Sequence, residues 1–289
     1  MNKLPKKRIF FAGKDRFIDT DEGTFLLKKH QDLEPVFSFL ERHHIPYFIR
    51  PTLYRNSYDA FPYKEKSFDS HLKRRDLSRV LASIHKNTCF YKEKDSYRID
   101  SFYHEYTKKI KELTNYYDSM SDQFESYLFP TPAMRYYLRY SSILFFHLKL
   151  VSNLLEEWYQ LGQEIQTERM VFCNLACTLD QYYQGKQEAL LDWSKAKFAS
   201  PLEDIFILLS EEDDYGSILS TYEAIFELTP FERLELWIVE LIPKEIRFHK
   251  SFSLDYANFL KIKAMYDRLN LFYQVYLKYQ QKQKKEQSR

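Results

Sequence analysis

Near residue 65 the apolar pattern of the chain changes from short strand-like runs to long helical stripes, and this change restricts the possible folds. The part before it contains strand-like runs and one helical stripe, at residues 7–12, 16–19, 24–29 and 31–44. Gly23 ends a turn between the second and third runs, and glycine takes a positive φ at little cost, which favours a hairpin there. This part of the sequence therefore predicts a small antiparallel sheet with one helix.

Beyond residue 65 the spacing of apolar side chains becomes helical almost throughout. The predicted helices span residues 72–85, 99–127, 133–165, 201–209, 217–227, 231–241 and 254–283. Pro132 precedes the third of them, at a position where the missing N–H of proline is harmless. The sequence thus predicts an α+β protein with a small N-terminal lobe (residues 1–65) and a large helical C-terminal lobe (residues 66–289).

Composition excludes several classes of function. The net charge of +2 gives no support to nucleic-acid binding. Arg139, His147 and Lys149 interrupt the most apolar stretch, residues 136–155, so it predicts a buried amphipathic helix without membrane insertion. We therefore expect a soluble, cytoplasmic protein. The 24 Tyr and 24 Phe residues fit the edge of a core, and they equally fit a surface that binds a protein partner.

The three cysteines, Cys89, Cys173 and Cys177, indicate a reducing compartment because their number is odd and their spacing does not repeat. Cys173 and Cys177 lie four residues apart and could share a metal ion. No Cys/His pair lies near them in the sequence, however, so a zinc site is not expected.

One segment interrupts the helices and carries a motif. Residues 171–193 contain two strand-like runs on either side of a turn at residues 184–186, and they predict a hairpin. The second run leads into Leu190-Leu191-Asp192-Trp193, and Asp204 follows in a stretch that contains proline.

This segment resembles the catalytic region of the aminoglycoside-phosphotransferase and choline-kinase-like family, and most closely its bacterial spore-coat kinase-like branch. Members carry a His-Gly-Asp-Leu catalytic loop, a metal-binding Asn, a short hairpin and an apolar-Asp-Trp motif. A leucine-rich helix that ends at His85 and the strand at residues 25–29 extend the resemblance over most of the chain. It implies a protein-kinase-like, two-lobed fold with the hairpin at the catalytic cleft.

The resemblance also assigns the site residues. Asn174 stands at the position of the catalytic base, and Leu179 stands at that of the metal-binding Asn. Asp192 matches the metal-binding Asp, and Lys28 or Lys29 matches the lysine that contacts the nucleotide phosphates. Two further positions are structural in the family: Phe172 replaces the His that holds the loop, and Asp204 matches a later Asp that binds backbone N–H groups.

Phosphoryl transfer needs a carboxylate that accepts the proton of the attacking hydroxyl, and it needs oxygen ligands for magnesium. The amide of Asn174 is no base near neutral pH, and Leu179 has no ligand atom. Gly13 and Gly23 stand alone, so the sequence contains no glycine-rich phosphate loop. These losses predict a pseudokinase that acts by binding a protein partner, as a scaffold or as a component of a spore coat.

The sequence leaves other interpretations open. An active kinase for a small alcohol or amino sugar could use Asp180 as a replacement base, with ATP and magnesium as its cofactors. The chain could also be an unrelated helical interaction protein. No cofactor is assigned with certainty, and the oligomeric state does not follow from the sequence.

Overall fold

The structure is a computed structural model, and it describes residues 8–12, 15–21, 23–54, 57–63, 70–185, 187–210, 214–248 and 254–287. The chain divides into two compact units. One comprises Met1–Lys92 and Arg169–Glu227, and the other comprises Glu93–Glu168 and Leu228–Arg289. The predicted lobe boundary at residues 65/66 falls inside the first unit, and the division into lobes stays a prediction.

The order of the elements matches the prediction, with mainly strands before residue 65 and mainly helices after it. The strands are β1 (Arg8–Ala12), β2 (Asp15–Thr20), β3 (Gly23–Lys29), β4 (Thr52–Tyr54), β5 (Tyr58–Pro62), β6 (Phe90–Glu93), β7 (Thr167–Cys173), β8 (Tyr182–Gln184), β9 (Glu188–Leu190) and β10 (Lys197–Ala199). The helices are α1 (Glu34–Arg42), α2 (Ser70–Thr88), α3 (Ser96–Glu125), α4 (Pro132–Glu164), α5 (Leu202–Leu209), α6 (Tyr215–Glu223), α7 (Pro230–Leu241) and α8 (Asp255–Gln287).

The first unit opens with a five-stranded antiparallel sheet in the order β1-β2-β3-β5-β4. Gly23 has a φ of +126°, so the β2–β3 turn uses a backbone conformation that favours glycine. Ile18, Leu27 and Ala60 are buried together on one face of the sheet. The small antiparallel sheet is therefore confirmed, while Gly13 and Glu22 of the predicted turns lie outside the described residues.

The predicted hairpin is confirmed, but its first run has a different partner. β8 and β9 pair antiparallel around residues 185–187, and Lys186 of the predicted turn lies outside the described residues. β7 pairs instead with β10, with Phe172 opposite Phe198. A 3₁₀ turn at Leu179–Gln181 connects the loop after β7 to the hairpin.

The second unit consists of the long helices α3, α4, α7 and α8. Three of these helices begin with a side-chain N-cap. Asp95 accepts from the backbone N–H of Arg98, and Thr131 accepts from that of Met134. Thr229 and Glu232 form a capping box at the start of α7. At the centre, the ring of Trp158 stacks on Phe231 with centroids 4.9 Å apart. No helix among the described residues has the length and apolarity needed to cross a membrane.

Candidate functional site

An ion pair joins the two parts of the chain that the motif singled out. Lys28 on β3 places Nζ 2.7 Å from Oδ2 of Asp192, which follows β9. The same ammonium donates to Oε1 of Gln181 at 2.8 Å. Of the two candidate lysines, the structure brings Lys28 to Asp192, whereas Lys29 is exposed at the end of the strand.

Asp192 is held from both sides. Its Oδ1 accepts from the backbone N–H of Ser194 at 3.0 Å and from the Ser194 hydroxyl at 2.6 Å, while Oδ2 faces Lys28. Burial raises the pKa of Asp192, but the hydrogen bonds from Lys28 and Ser194 outweigh burial and leave the pKa below its usual value. Asp192 is therefore an anion that stays ionised in a half-buried position.

Replacing Lys28 with Met is expected to raise the pKa of Asp192, because burial then acts on a carboxylate that has lost its cation. Because the pKa of Asp192 is lowered in the folded protein, its ionisation stabilises the fold at pH values above its pKa in the unfolded chain. This contribution is lost as the pH falls through its pKa in the folded protein. In Lys28→Met the contribution should be absent. The titration of the Asp192 carboxyl ¹³C resonance measures the shift directly. Lys29→Met makes the same change on an exposed neighbour and should leave the titration unchanged, and an unchanged titration in Lys28→Met would contradict the expectation.

The loop after β7 is closed by the side chain of Asn174. Its Oδ1 accepts from the backbone N–H of Ala176 at 3.0 Å, and its Nδ2 donates to the backbone oxygen of Asp192 at 2.6 Å. Asn174 is only 1% exposed. Both ends of its amide are thus used inside the protein, and they hold the loop against the segment that carries Asp192.

Asp204 also holds this loop, through hydrogen bonds to its backbone. This fully buried carboxylate accepts from the backbone N–H of Asn174 at 2.8 Å and from that of Leu175 at 2.7 Å. Nε2 of His85 lies 3.1 Å from the carboxylate, and Nδ1 of His85 lies 2.6 Å from the Tyr222 hydroxyl. Since a carboxylate only accepts, Nε2 of His85 carries a proton and donates to Asp204.

The fold brings His85 and Asp204 to the cysteines, although they are far apart in sequence. One ligand atom each from His85, Cys173 and Asp204 lie within 4.8 Å of one another. Both thiols are used in hydrogen bonds inside the protein. The Cys173 thiol donates to the Ser200 carbonyl and the Cys177 thiol donates to the Asp204 carbonyl, each at 3.2 Å. Burial raises the pKa of both thiols well above the ordinary value. The thiols are therefore protonated and act as small buried hydrogen-bond donors.

The remaining positions that were assigned from sequence have different surroundings. Phe172 lies in an aromatic cluster, with ring centroids 4.6 Å from Phe39 and 5.2 Å from Phe198. Leu179 is half-buried in the 3₁₀ turn, and the next residue, Asp180, is exposed. Neither Phe172 nor Leu179 contributes a polar side chain to the Lys28–Asp192 pair.

Sequence reasoning missed Gln181, which reaches the ion pair from the other end of the 3₁₀ turn. The backbone N–H of Leu191 donates to the Gln181 carbonyl at 2.9 Å, so the turn is tied to the residue before Asp192. The signal that could have identified Gln181 is its chemistry. Its side-chain amide is the first one after Leu179, and an amide oxygen is what a metal-binding Asn also offers. Its position relative to Lys28 depends on a contact over 153 residues.

The side chains at this site fit a magnesium ion bound to phosphates, although they do not fit a complete catalytic set. Magnesium in such sites takes one or two carboxylates together with phosphate oxygens and water. Asp192 offers the carboxylate, Gln181 an amide oxygen, and Lys28 an ammonium for the phosphates. Among the described residues at this contact, no carboxylate other than Asp192 is found within hydrogen-bond distance of Lys28.

Comparisons with known proteins give a likeness in structure alone. No protein-family model matches the chain, and no curated protein matches it. Among solved structures, an aminoglycoside phosphotransferase from Alicyclobacillus acidocaldarius subsp. acidocaldarius DSM 446 superposes with a TM-score of 0.65 at 11% identity. The match covers 96% of this chain and 93% of that one. It confirms the predicted fold class, a mixed α+β, protein-kinase-like fold with a small sheet followed by a mainly helical region.

Proposed function

We propose that this chain is a degenerate member of the aminoglycoside-phosphotransferase-like kinases, which binds a ligand or partner and transfers no phosphate. One observation carries the proposal. The loop after β7 keeps the fixed backbone that such a site requires, through Asp204 and Asn174, but its residues offer no base. The amide of Asn174 is buried and has both ends hydrogen-bonded, so it cannot meet a substrate hydroxyl.

The geometry also supports a different match between this loop and the family motif. Leu175 has a φ of +58°, a conformation that favours glycine, so the Gly of His-Gly-Asp fits Leu175. Asn174 then takes the place of the His that holds the loop, and Ala176 takes that of the catalytic Asp. Gln181, which contacts Lys28, takes the place of the metal-binding Asn. In this register the base is replaced by a methyl group, and in the register with Asn174 it is replaced by a buried amide.

The residues that remain can bind phosphate and magnesium, but Asn174 and Ala176 of the loop after β7 offer no base. Magnesium bound here would neutralise phosphate charge, as it does in phosphoryl transfer. Lys28 would contact phosphate oxygens, and Asp192 with Gln181 would supply oxygen ligands. A substrate hydroxyl near this loop would keep its proton, because neither Asn174 nor Ala176 can take it.

The proposal extends to the partner of the protein and to its location. The chain would act through a protein partner, in the cytoplasm or as a component of a spore coat, as the spore-coat kinase-like branch implies. The 24 Tyr residues support this part of the proposal, because tyrosine is enriched at the centres of protein interfaces.

Two measurements on the same protein test the proposal. Wild-type protein incubated with ATP, magnesium and a panel of amino sugars and small alcohols should transfer no phosphate above the background of Asp192→Ala. In a thermal unfolding experiment, ATP with magnesium at about ten times Kd should raise the midpoint by roughly 3 °C, since a ligand that binds only the folded state stabilises it. This rise should disappear in Asp192→Ala and Lys28→Met, and it should persist in Lys29→Met.

Each result has a clear meaning. Phosphate transfer that Asp180→Asn abolishes would show that the chain is an active kinase with a rearranged base, and the proposal would be wrong. No transfer and no thermal shift would restrict the function to binding of a protein. As a positive control for the register, Ala176→Asp should place a carboxylate at the position that this register gives to the catalytic Asp, and any transfer that it restores would locate the lost base at position 176.

A further inference from the structure

A cavity of about 650 Å³ lies within the second unit, between α8 and the segment that follows α7. This volume is in the range of pockets that bind small organic molecules. Its lining is contributed by Ile242, Lys244, Glu245, Ile246, Arg247, Lys261, Ala264, Met265, Arg268 and Leu269. None of these residues belongs to the Lys28–Asp192 site, so a ligand bound here would be distinct from one bound at that site.

The floor of the cavity is apolar and its wall is held in place. Ile242, Met265 and Leu269 are buried. The segment opposite α8 is fixed by two hydroxyls of α3: Tyr116 donates to the carbonyl of Ile246, and Tyr117 donates to the carbonyl of Lys244. The cavity is therefore preformed and does not depend on a ligand to open it.

The rim of the cavity carries an excess of positive charge. Arg268 is paired with Glu240, and Arg247 is paired with Glu245 at 3.1 Å. Lys244 has no acidic oxygen within ion-pairing distance among the residues that the structure describes. The guanidinium of Arg268 is the main cause that holds the pKa of Lys244 below its usual value, and burial adds to it. An anion beside Lys244 would relieve this repulsion between like charges.

We propose that this cavity binds an organic anion with an apolar body, in which a carboxylate or phosphate head contacts Lys244 and Lys261 and the body lies against Met265 and Leu269. The cationic rim selects the head, because charge-assisted hydrogen bonds are about twice as strong as neutral ones. The apolar floor selects the body, because removing apolar surface from water is favourable. Neither half of the ligand alone satisfies both parts of the cavity.

Isothermal titration calorimetry with defined probes tests this site. Decanoate and decyl phosphate share the apolar body and differ in the head, so they separate a carboxylate ligand from a phosphate ligand. Each head that the cavity accepts should bind saturably at one site per chain. Decanol, which lacks the charge, and inorganic phosphate, which lacks the body, should each bind at least about ten-fold more weakly, a difference of roughly 1.4 kcal/mol.

Matched variants locate the binding. Lys244→Gln and Lys261→Gln are exposed substitutions that leave the floor intact, and each should weaken the preferred probe about ten-fold, the loss of roughly one charge-assisted hydrogen bond. Lys263→Gln removes the same charge from the same helix outside the cavity and should have little effect. Asp192→Ala should also have none, which keeps this test independent of the kinase-like site.

Three outcomes would overturn the proposal. The absence of saturable heat with both amphiphiles would exclude a ligand of this class. Equal binding of decanol and decanoate would show an apolar groove in which the cations play no part. Equal binding of inorganic phosphate and decyl phosphate would show a plain anion site on the rim.

Discussion

Replacing Asp204 with Asn is expected to destabilise the first unit more than any other conservative substitution near the site. Asp204 is fully buried and accepts from two backbone N–H groups, those of Asn174 and Leu175, and from His85. The amide of Asn has a single oxygen, so its NH₂ group would face at least one of these donors. A buried donor without an acceptor costs about 1–3 kcal/mol, and more when the lost acceptor was charged.

We therefore expect Asp204→Asn to lower the free energy of unfolding by about 3–5 kcal/mol and the thermal midpoint by roughly 10 °C. Thermal unfolding followed by circular dichroism measures the change. The matched control is Asp180→Asn, which makes the same chemical substitution at an exposed position and should shift the midpoint by less than about 2 °C. Equal shifts in the two variants would mean that the hydrogen bonds to Asp204 contribute little.

The second large effect is expected from Arg98→Met in the second unit. The guanidinium of Arg98 lies 3.2 Å from a carboxylate oxygen of Glu168 and 3.2 Å from one of Glu235, and both side chains are almost fully buried. Methionine keeps much of the side-chain length and removes the charge. Two buried carboxylates would then face each other without a cation, and breaking a buried pair in this way costs about 3–5 kcal/mol.

The pH dependence of this variant identifies the cause. Burial raises the pKa of Glu235 above its usual value, and Arg98 opposes that rise. Without Arg98 the pKa should rise further, so the folded protein binds a proton more readily than the unfolded chain. Its stability then increases as the pH falls from 7 through the folded pKa of Glu235. The difference between wild type and Arg98→Met, measured by urea unfolding, should accordingly shrink on acidification.

A double variant serves as the control for this explanation. In Arg98→Met/Glu235→Gln one of the two buried charges is gone, and part of the lost stability should return at pH 7. A difference between wild type and Arg98→Met that stays constant from pH 7 to pH 5 would mean that lost packing, including the contact of Arg98 with the Phe231 ring, causes the destabilisation.

The Asp204 network stabilises the loop after β7 independently of the chemistry that the loop can perform. Asp204, His85 and Tyr222 hold the loop after β7 whether or not that loop carries a base. These bonds are made by the side chains of Asp204, His85 and Tyr222 and by backbone N–H groups, so none of them requires a carboxylate at position 174 or 176. The backbone of this loop is therefore held by bonds that do not depend on a carboxylate at either position.

The features that depend on neighbours along the chain could be predicted from the sequence. The apolar period placed the helices to within a few residues, as in α2, predicted at 72–85 and observed at Ser70–Thr88. Glycine and turn residues marked the β2–β3 and β8–β9 hairpins. The Asp192-Trp193 motif pointed to the fold that the structural comparison confirms.

Contacts between residues far apart in the sequence could not be predicted in this way. Lys28 and Asp192 are separated by 164 residues, and nothing in their local sequence selects Lys28 over Lys29. The pairing of β7 with β10, and the contact of Gln181 with Lys28, likewise depend on how the strands are arranged in space. Periodicity and turn chemistry are local, because they arise within one or two turns of the backbone. Contacts between sequence-distant side chains are set by packing of the whole chain, and the candidate site consists almost entirely of such contacts.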